Sequence, residues 1–119
     1  MKNITKLDEL KKQNAKLKDY GINHTFYWAY QTSLEAQNET IDFSDVIWEK
    51  DIEEIIKNCN EFEIKSITIS STFSGLIDTL ATFEELGCKV LGLTKIKSRF
   101  IDYRTQEPEI KNAFKIQIK

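Results

Sequence analysis

Apolar positions change their spacing several times along the chain, and each change marks an element. Residues 5–19 carry Leu7, Leu10, Ala15 and Leu17 on one thin stripe, with Thr5 as a candidate N-cap and Gly21 just past the end. This predicts a Lys-rich N-terminal helix over residues 1–21, ahead of a single domain over residues 22–119. Phe26, Tyr27, Trp28 and Tyr30 then stand close together, and aromatics favour a pleated, half-buried surface. A strand over residues 24–30 followed by a short helical segment over residues 33–37 fits. One helix over residues 27–37 fits too, because Tyr27, Tyr30, Gln31 and Leu34 also keep helical spacing.

Residues 38–48 read as a polar connection whose end, Val46, Ile47 and Trp48, packs down. A stronger helix follows, with Ile52, Ile55, Ile56, Cys59 and Phe62 on one stripe. Its first turns carry Glu49, Asp51, Glu53 and Glu54, carboxylates that complement the positive end of the helix dipole. From Ile64 a β-branched run passes through Ser70, Ser71, Thr72, Phe73, Ser74 and Gly75 into a helix with Leu76, Ile77, Leu80, Phe83 and Leu86. Gly87 stands where that helix should end left-handed, and Val90, Leu91 and Leu93 begin another strand. This predicts a βαβ unit over residues 64–94 with parallel strands. Phe114, Ile116 and Ile118 alternate with Lys115, Gln117 and Lys119, a strand with one wet face placed at or near an edge. Residues 99–110, with the one Pro, read as a long hairpin connection. The fold class is α/β (α+β mixed): a small mixed sheet containing one βαβ unit, flanked by helices.

The 119 residues suffice for one domain with a core of its own, and the 40% hydrophobic content argues against disorder. The net charge of −2 is a cancellation of blocks, since residues 1–20 sum to +3, residues 21–64 to −8 and residues 65–119 to +3. It excludes a bulk polycation for nucleic acid and a strongly acidic nucleic-acid mimic. Such blocks are functional faces or solvated helix surfaces that pair in the fold. No apolar run approaches the roughly 20 residues of a membrane span, and the N-terminus has no apolar signal core, so a cytoplasmic protein is expected.

The candidate chemistry is sparse. Ser70, Ser71, Thr72, Ser74 and Gly75 sit beyond the carboxyl end of a strand and at a helix N-terminus, where an anion or phosphate could bind. The same residue types cap helices with no ligand. His24, the one histidine, has no nucleophile placed beside it in the sequence. Cys59 and Cys88 lack CxxC spacing and read as reduced core thiols. Glu39, Asp42, Asp45 and Glu49 offer oxygen ligands but do not match a calcium loop. No metal site, cofactor or catalytic constellation is assigned. Phe26, Tyr27, Trp28, Tyr30 and Trp48 with Lys95, Lys97, Arg99 and Arg104 allow a nucleic-acid reading, which ranks below the others.

The wording at Phe26-Tyr27-Trp28-Ala29-Tyr30, at Asp42-Phe43-Ser44-Asp45-Val46-Ile47-Trp48, and above all across residues 68–77 and 86–94 resembles a family of small uncharacterised proteins. Phages and conjugative elements of low-GC Gram-positive bacteria carry them. The resemblance covers residues 26–105 and implies an accessory protein of a mobile element, with no activity to carry over. The leading expectation is a non-enzymatic accessory or regulatory protein acting through an unidentified protein partner, with Glu49, Glu53, Glu54 and Trp28 on its contact surface. A small-ligand domain or enzyme using residues 71–75 is the alternative.

Overall fold

The computed structural model describes residues 22–119; the helix expected over residues 5–19, and the division at residue 21, lie outside the described residues. The elements are α1 (His24–Glu35), β1 (Ile41–Phe43), α2 (Glu49–Glu61), β2 (Ser66–Ile69), α3 (Leu76–Glu85), β3 (Lys89–Asp102) and β4 (Glu107–Gln117). Their strands form a mixed four-stranded sheet in the order β1-β2-β4-β3. The expected α/β class, with helices on a mixed sheet, is present.

The aromatic run is helical throughout, so a strand over residues 24–30 is corrected. Asn23 decides the matter: its Oδ1 accepts the backbone N–H groups of Thr25 at 2.9 Å and Phe26 at 3.2 Å. With the first turn capped, Phe26, Ala29, Tyr30 and Ser33 share the buried face, and Trp28 is half-exposed. Helical spacing thus overrides the strand preference of the individual aromatics.

The connection expected over residues 38–48 contains β1, which pairs in parallel with β2 through Ile41↔Ile67 and Phe43↔Ile69. The adjacent parallel βαβ unit is therefore β1-α2-β2. In the unit expected over residues 64–94, β2 and β3 point the same way but are not neighbours. Each pairs antiparallel with β4, which lies between them. The period-two pattern of residues 114–118 consequently marks an interior strand that lies next to the edge strand β3, near an edge as expected and not at it. Its polar alternates report a second sheet face: Asp42, Thr68, Lys115 and Gly92 form one row across all four strands. The rows on either side are Ile41-Ile67-Ile116-Val90 and Phe43-Ile69-Phe114-Leu93. Ile41, Ile67, Ile116, Phe43 and Ile69 of these rows join Phe26, Ile52, Ile55 and Phe83 in the core, with Val90 packed against it, while Leu93 at the sheet edge is 71% exposed.

All three helices end in the same way. At α3, Gly87 N–H donates to the Glu84 carbonyl at 3.0 Å and Cys88 N–H to the Phe83 carbonyl at 2.9 Å, with Gly87 left-handed as expected. Gln37 and Glu63 hold the equivalent left-handed positions after α1 and α2 without being glycine. The hairpin expected over residues 99–110 is mostly strand, with only residues 103–106 turning. Register shifts interrupt β3 at Leu91 and again between Lys97 and Ile101, where three β3 residues oppose Glu109 alone. Bulges of this kind bend a strand and re-aim its side chains.

Candidate functional site

The carboxyl ends of β1 and β2 open onto a cleft of about 280 Å³, floored by Asp42 and Ser70. Adjacent parallel strands place their C-terminal ends at one edge, the usual ligand position in open α/β sheets. Trp28 and Ser33 enter from α1, Asp45 from the turn after β1, and Lys97, Phe100 and Lys111 from the β3–β4 ribbon. The second bulge of β3 brings both Ser98 and Phe100 onto this cleft, and the Phe100 N–H donates to Ser98 Oγ at 3.1 Å. Asn38 ties the ribbon down by imitating a neighbouring strand. Its Nδ2 donates to the Lys97 carbonyl at 2.7 Å, and the Lys97 N–H donates to its Oδ1 at 2.8 Å.

Asp42 is the best-held group of the site. It is 4% exposed, its Oδ1 accepts from Thr68 Oγ1 at 2.7 Å, and its Oδ2 accepts from Ser70 Oγ at 2.6 Å. Its own N–H donates to Ser33 Oγ at 2.8 Å, which locks β1 to α1. Burial holds the Asp42 carboxyl above its ordinary value, although the bonds from Ser70 and Thr68 and the Lys111 ammonium pull the other way. Desolvation of the charged form thus dominates. The folded chain then binds the Asp42 proton more tightly than the unfolded chain does. Stability from this group is complete below the ordinary value of 3.8 and is lost as pH rises through the raised value. Asp42→Asn should remove that slope. Thermal melts between about pH 4 and about pH 7 should show the variant gaining on the wild type as pH rises; parallel curves would show that the buried carboxyl titrates normally.

Of the expected ligand- and partner-binding residues, Ser70 and Trp28 lie in this cleft, together with Asp42, Asp45 and Lys97 from the other candidates. Ser71 is buried and its Oγ has no hydrogen-bond partner among the described residues, while Thr72 and Ser74 are exposed. Gly75 is the N-cap of α3, and no side chain makes a capping bond there. Ser and Thr capping, expected of this turn, is thus not how the helix begins. Glu49 and Glu53 line a groove with Trp48 and Glu85, at a different place from Trp28, and Glu54 accepts from Asn23 Nδ2 at 2.9 Å. His24 is exposed and lines no part of the cleft. The acidic run divides as well: Asp42 is buried, Asp45 reaches the cleft and Glu49 the groove. Among the described residues, no three His, Cys, Asp or Glu side chains gather as a metal site requires. Cys59 and Cys88 are both free and buried, and burial pushes the Cys59 thiol up to about 12, with Cys88 adding to the shift.

A family model described as a domain of unknown function, DUF7698, matches residues 25–118. The chain belongs to the DUF7698 family. No curated protein and no solved structure matches it. The matched span takes in the whole sheet of the DUF7698 domain and every residue lining the cleft. Among the described residues, no helix is long and apolar enough to cross a membrane.

Sequence reasoning left Asp42 among generic oxygen ligands and gave Lys111, Ser33 and Phe100 no role. One signal was available for Asp42. An acid between Ile41 and Phe43, both strand formers, must face opposite to them if the triplet is a strand. Phe100 reaches the cleft through the β3 bulge and Lys111 through the pairing of β4 with β3 at Ile96, and nothing local in the sequence announces either.

Proposed function

We propose that this DUF7698 protein is a small-molecule-binding accessory domain whose site is the cleft at the ends of β1 and β2. One observation carries the reading: a buried carboxylate, fixed by two hydroxyls, stands in a cavity also lined by Trp28, Phe100 and Lys111. Pockets of this composition, apolar walls with a few placed polar groups, are what small ligands select. The wording shared with proteins of phages and conjugative elements supports an accessory role for a mobile element in a bacterial cytoplasm. No group with a nucleophile's or general base's geometry is assigned, so the proposal is binding rather than catalysis.

A metabolite panel of nucleosides, sugar phosphates and amino acids, added to the isotopically labelled protein, tests the site. Amide shifts confined to residues 42–45, 70 and 96–100 are the expected result. A panel that leaves all of these unmoved would remove the reading. A second reading, contact with a protein partner, rests on Trp48, which is 61% exposed beside Glu49 and Glu53 in the groove next to α3. Partner capture from the host that survives reversal of Glu49 and Glu53 would discard that surface.

A further inference from the structure

The cleft is bipolar, and its polarity narrows what it can hold. Two carboxylates, Asp42 and Asp45, come from β1 and the turn after it, and one ammonium group, Lys111, comes from β4, while Lys97 meets the cleft with its backbone beside Asn38. These three groups close no ion pair with one another, so carboxylates and an ammonium group line one cavity without neutralising each other by contact. We infer that the site takes a small zwitterion of the α-amino-acid type, its ammonium toward Asp42 and Asp45 and its carboxylate toward Lys111. This rests on the reading of the cleft as a ligand site.

Several physical arguments converge on that class. A simple anion such as phosphate would face the Asp42 carboxylate, which Thr68 and Ser70 hold in place, and a simple cation would face the Lys111 ammonium. Like charges brought together in a partly dry cavity repel strongly, whereas a ligand carrying both signs meets each wall with its complement. The cavity volume of about 280 Å³ lies at the small end for ligand pockets, the scale of a single amino acid. Trp28 and Phe100, 48% and 58% exposed, give the cleft aromatic surface for an apolar side chain, and an ammonium is attracted to such ring faces. A cationic group at Asp42 also offsets the desolvation that the buried carboxylate otherwise carries. Retention of an acid here, where Asn would fill the same space, then has a use.

The test titrates the full chain with L-phenylalanine, with its deaminated acid 3-phenylpropionate, and with its decarboxylated amine phenethylamine. Glycine, inorganic phosphate and adenosine complete the set. Residues 42–45, 70, 97 and 111 should respond to the amino acids, and each single-charge analogue should bind at least about tenfold more weakly. Lys111→Met and Asp42→Asn should each cost about tenfold or more in amino-acid affinity. Should Asp42→Asn fail to fold, Asp45→Asn gives the same reading from an exposed position. Affinity should also fall on acidification as Asp42 takes up its proton. Equal binding of the amine or the acid, or unchanged affinity in Lys111→Met, would overturn the zwitterion. Shifts with phosphate or adenosine alone would overturn it while leaving the cleft as a site. Silence with every probe would remove both.

Discussion

Asn23→Ala is expected to lower stability by about 3 kcal/mol, an effect set by two separate losses. The side chain caps α1 through Thr25 and Phe26, and an N-cap Asn replaced by Ala costs roughly 0.5–2 kcal/mol. Its Nδ2 meanwhile donates to Asp51 Oδ1 at 3.2 Å and to Glu54 Oε2 at 2.9 Å. Asp51 is 5% exposed, and after the change it keeps only a long contact, 3.4 Å, from Thr25 Oγ1. A buried acceptor stripped of its donor costs roughly 1–3 kcal/mol. Asn23→Ser separates the terms, because a serine hydroxyl caps but cannot reach two carboxylates as a donor. Urea unfolding should place Ser between Ala and the wild type, about 1 kcal/mol above Ala. Full recovery by Ser would mean that Asp51 does not depend on Asn23.

Phe83→Ala should cost about 3–5 kcal/mol, the range for emptying a large aromatic site. Phe83 is fully buried, and apart from Thr79 the other residues of α3 are partly or wholly exposed. Leu76 and Leu80 also pack against the core but are only partly buried, so Phe83 is the main anchor of α3 on the sheet. Against a total of roughly 5–15 kcal/mol for a domain of this size, the loss threatens folding outright. Hydrogen exchange distinguishes a local outcome from a global one. Amides of residues 76–88 should lose protection first, while those of β1 and β2 stay slow at low temperature. Uniform loss across the sheet would show that α3 does not open as a separate unit.

Much of the fold could be read in advance where one pattern acted alone. The α2 stripe of Ile52, Ile55, Ile56 and Cys59 is buried as its spacing requires, and Gly87 is left-handed as its position demands. Reading failed where two preferences met on the same residues. In α1 the aromatics suggested a strand until Asn23, one residue earlier, is recognised as a cap. For β1, three residues including an acid carry too little period-two signal to be separated from a polar loop. The topology failed for another reason. Local sequence shows that β2 and β3 run the same way around α3, but only long-range pairing shows that β4 lies between them. The site shares this history: Asp42 depends on β1, and Lys111 on the last strand. Gln37 and Glu63 hid the ends of two helices because each takes a left-handed conformation that glycine usually announces.

The insertion of β4 between β2 and β3 also imposes an order on synthesis. Of the described elements, the strand that leaves the ribosome last occupies an interior place in the sheet. Until it arrives, β2 and β3 each present an open edge, with Ile67, Ile69, Leu91 and Leu93 beside unpaired backbone. A nascent chain in that state is a template for pairing with its neighbours. The early β1-α2-β2 unit can form beforehand, but the cleft cannot, because Lys111 belongs to the strand that closes the sheet. The cleft is therefore completed in a single late step, together with protection from aggregation.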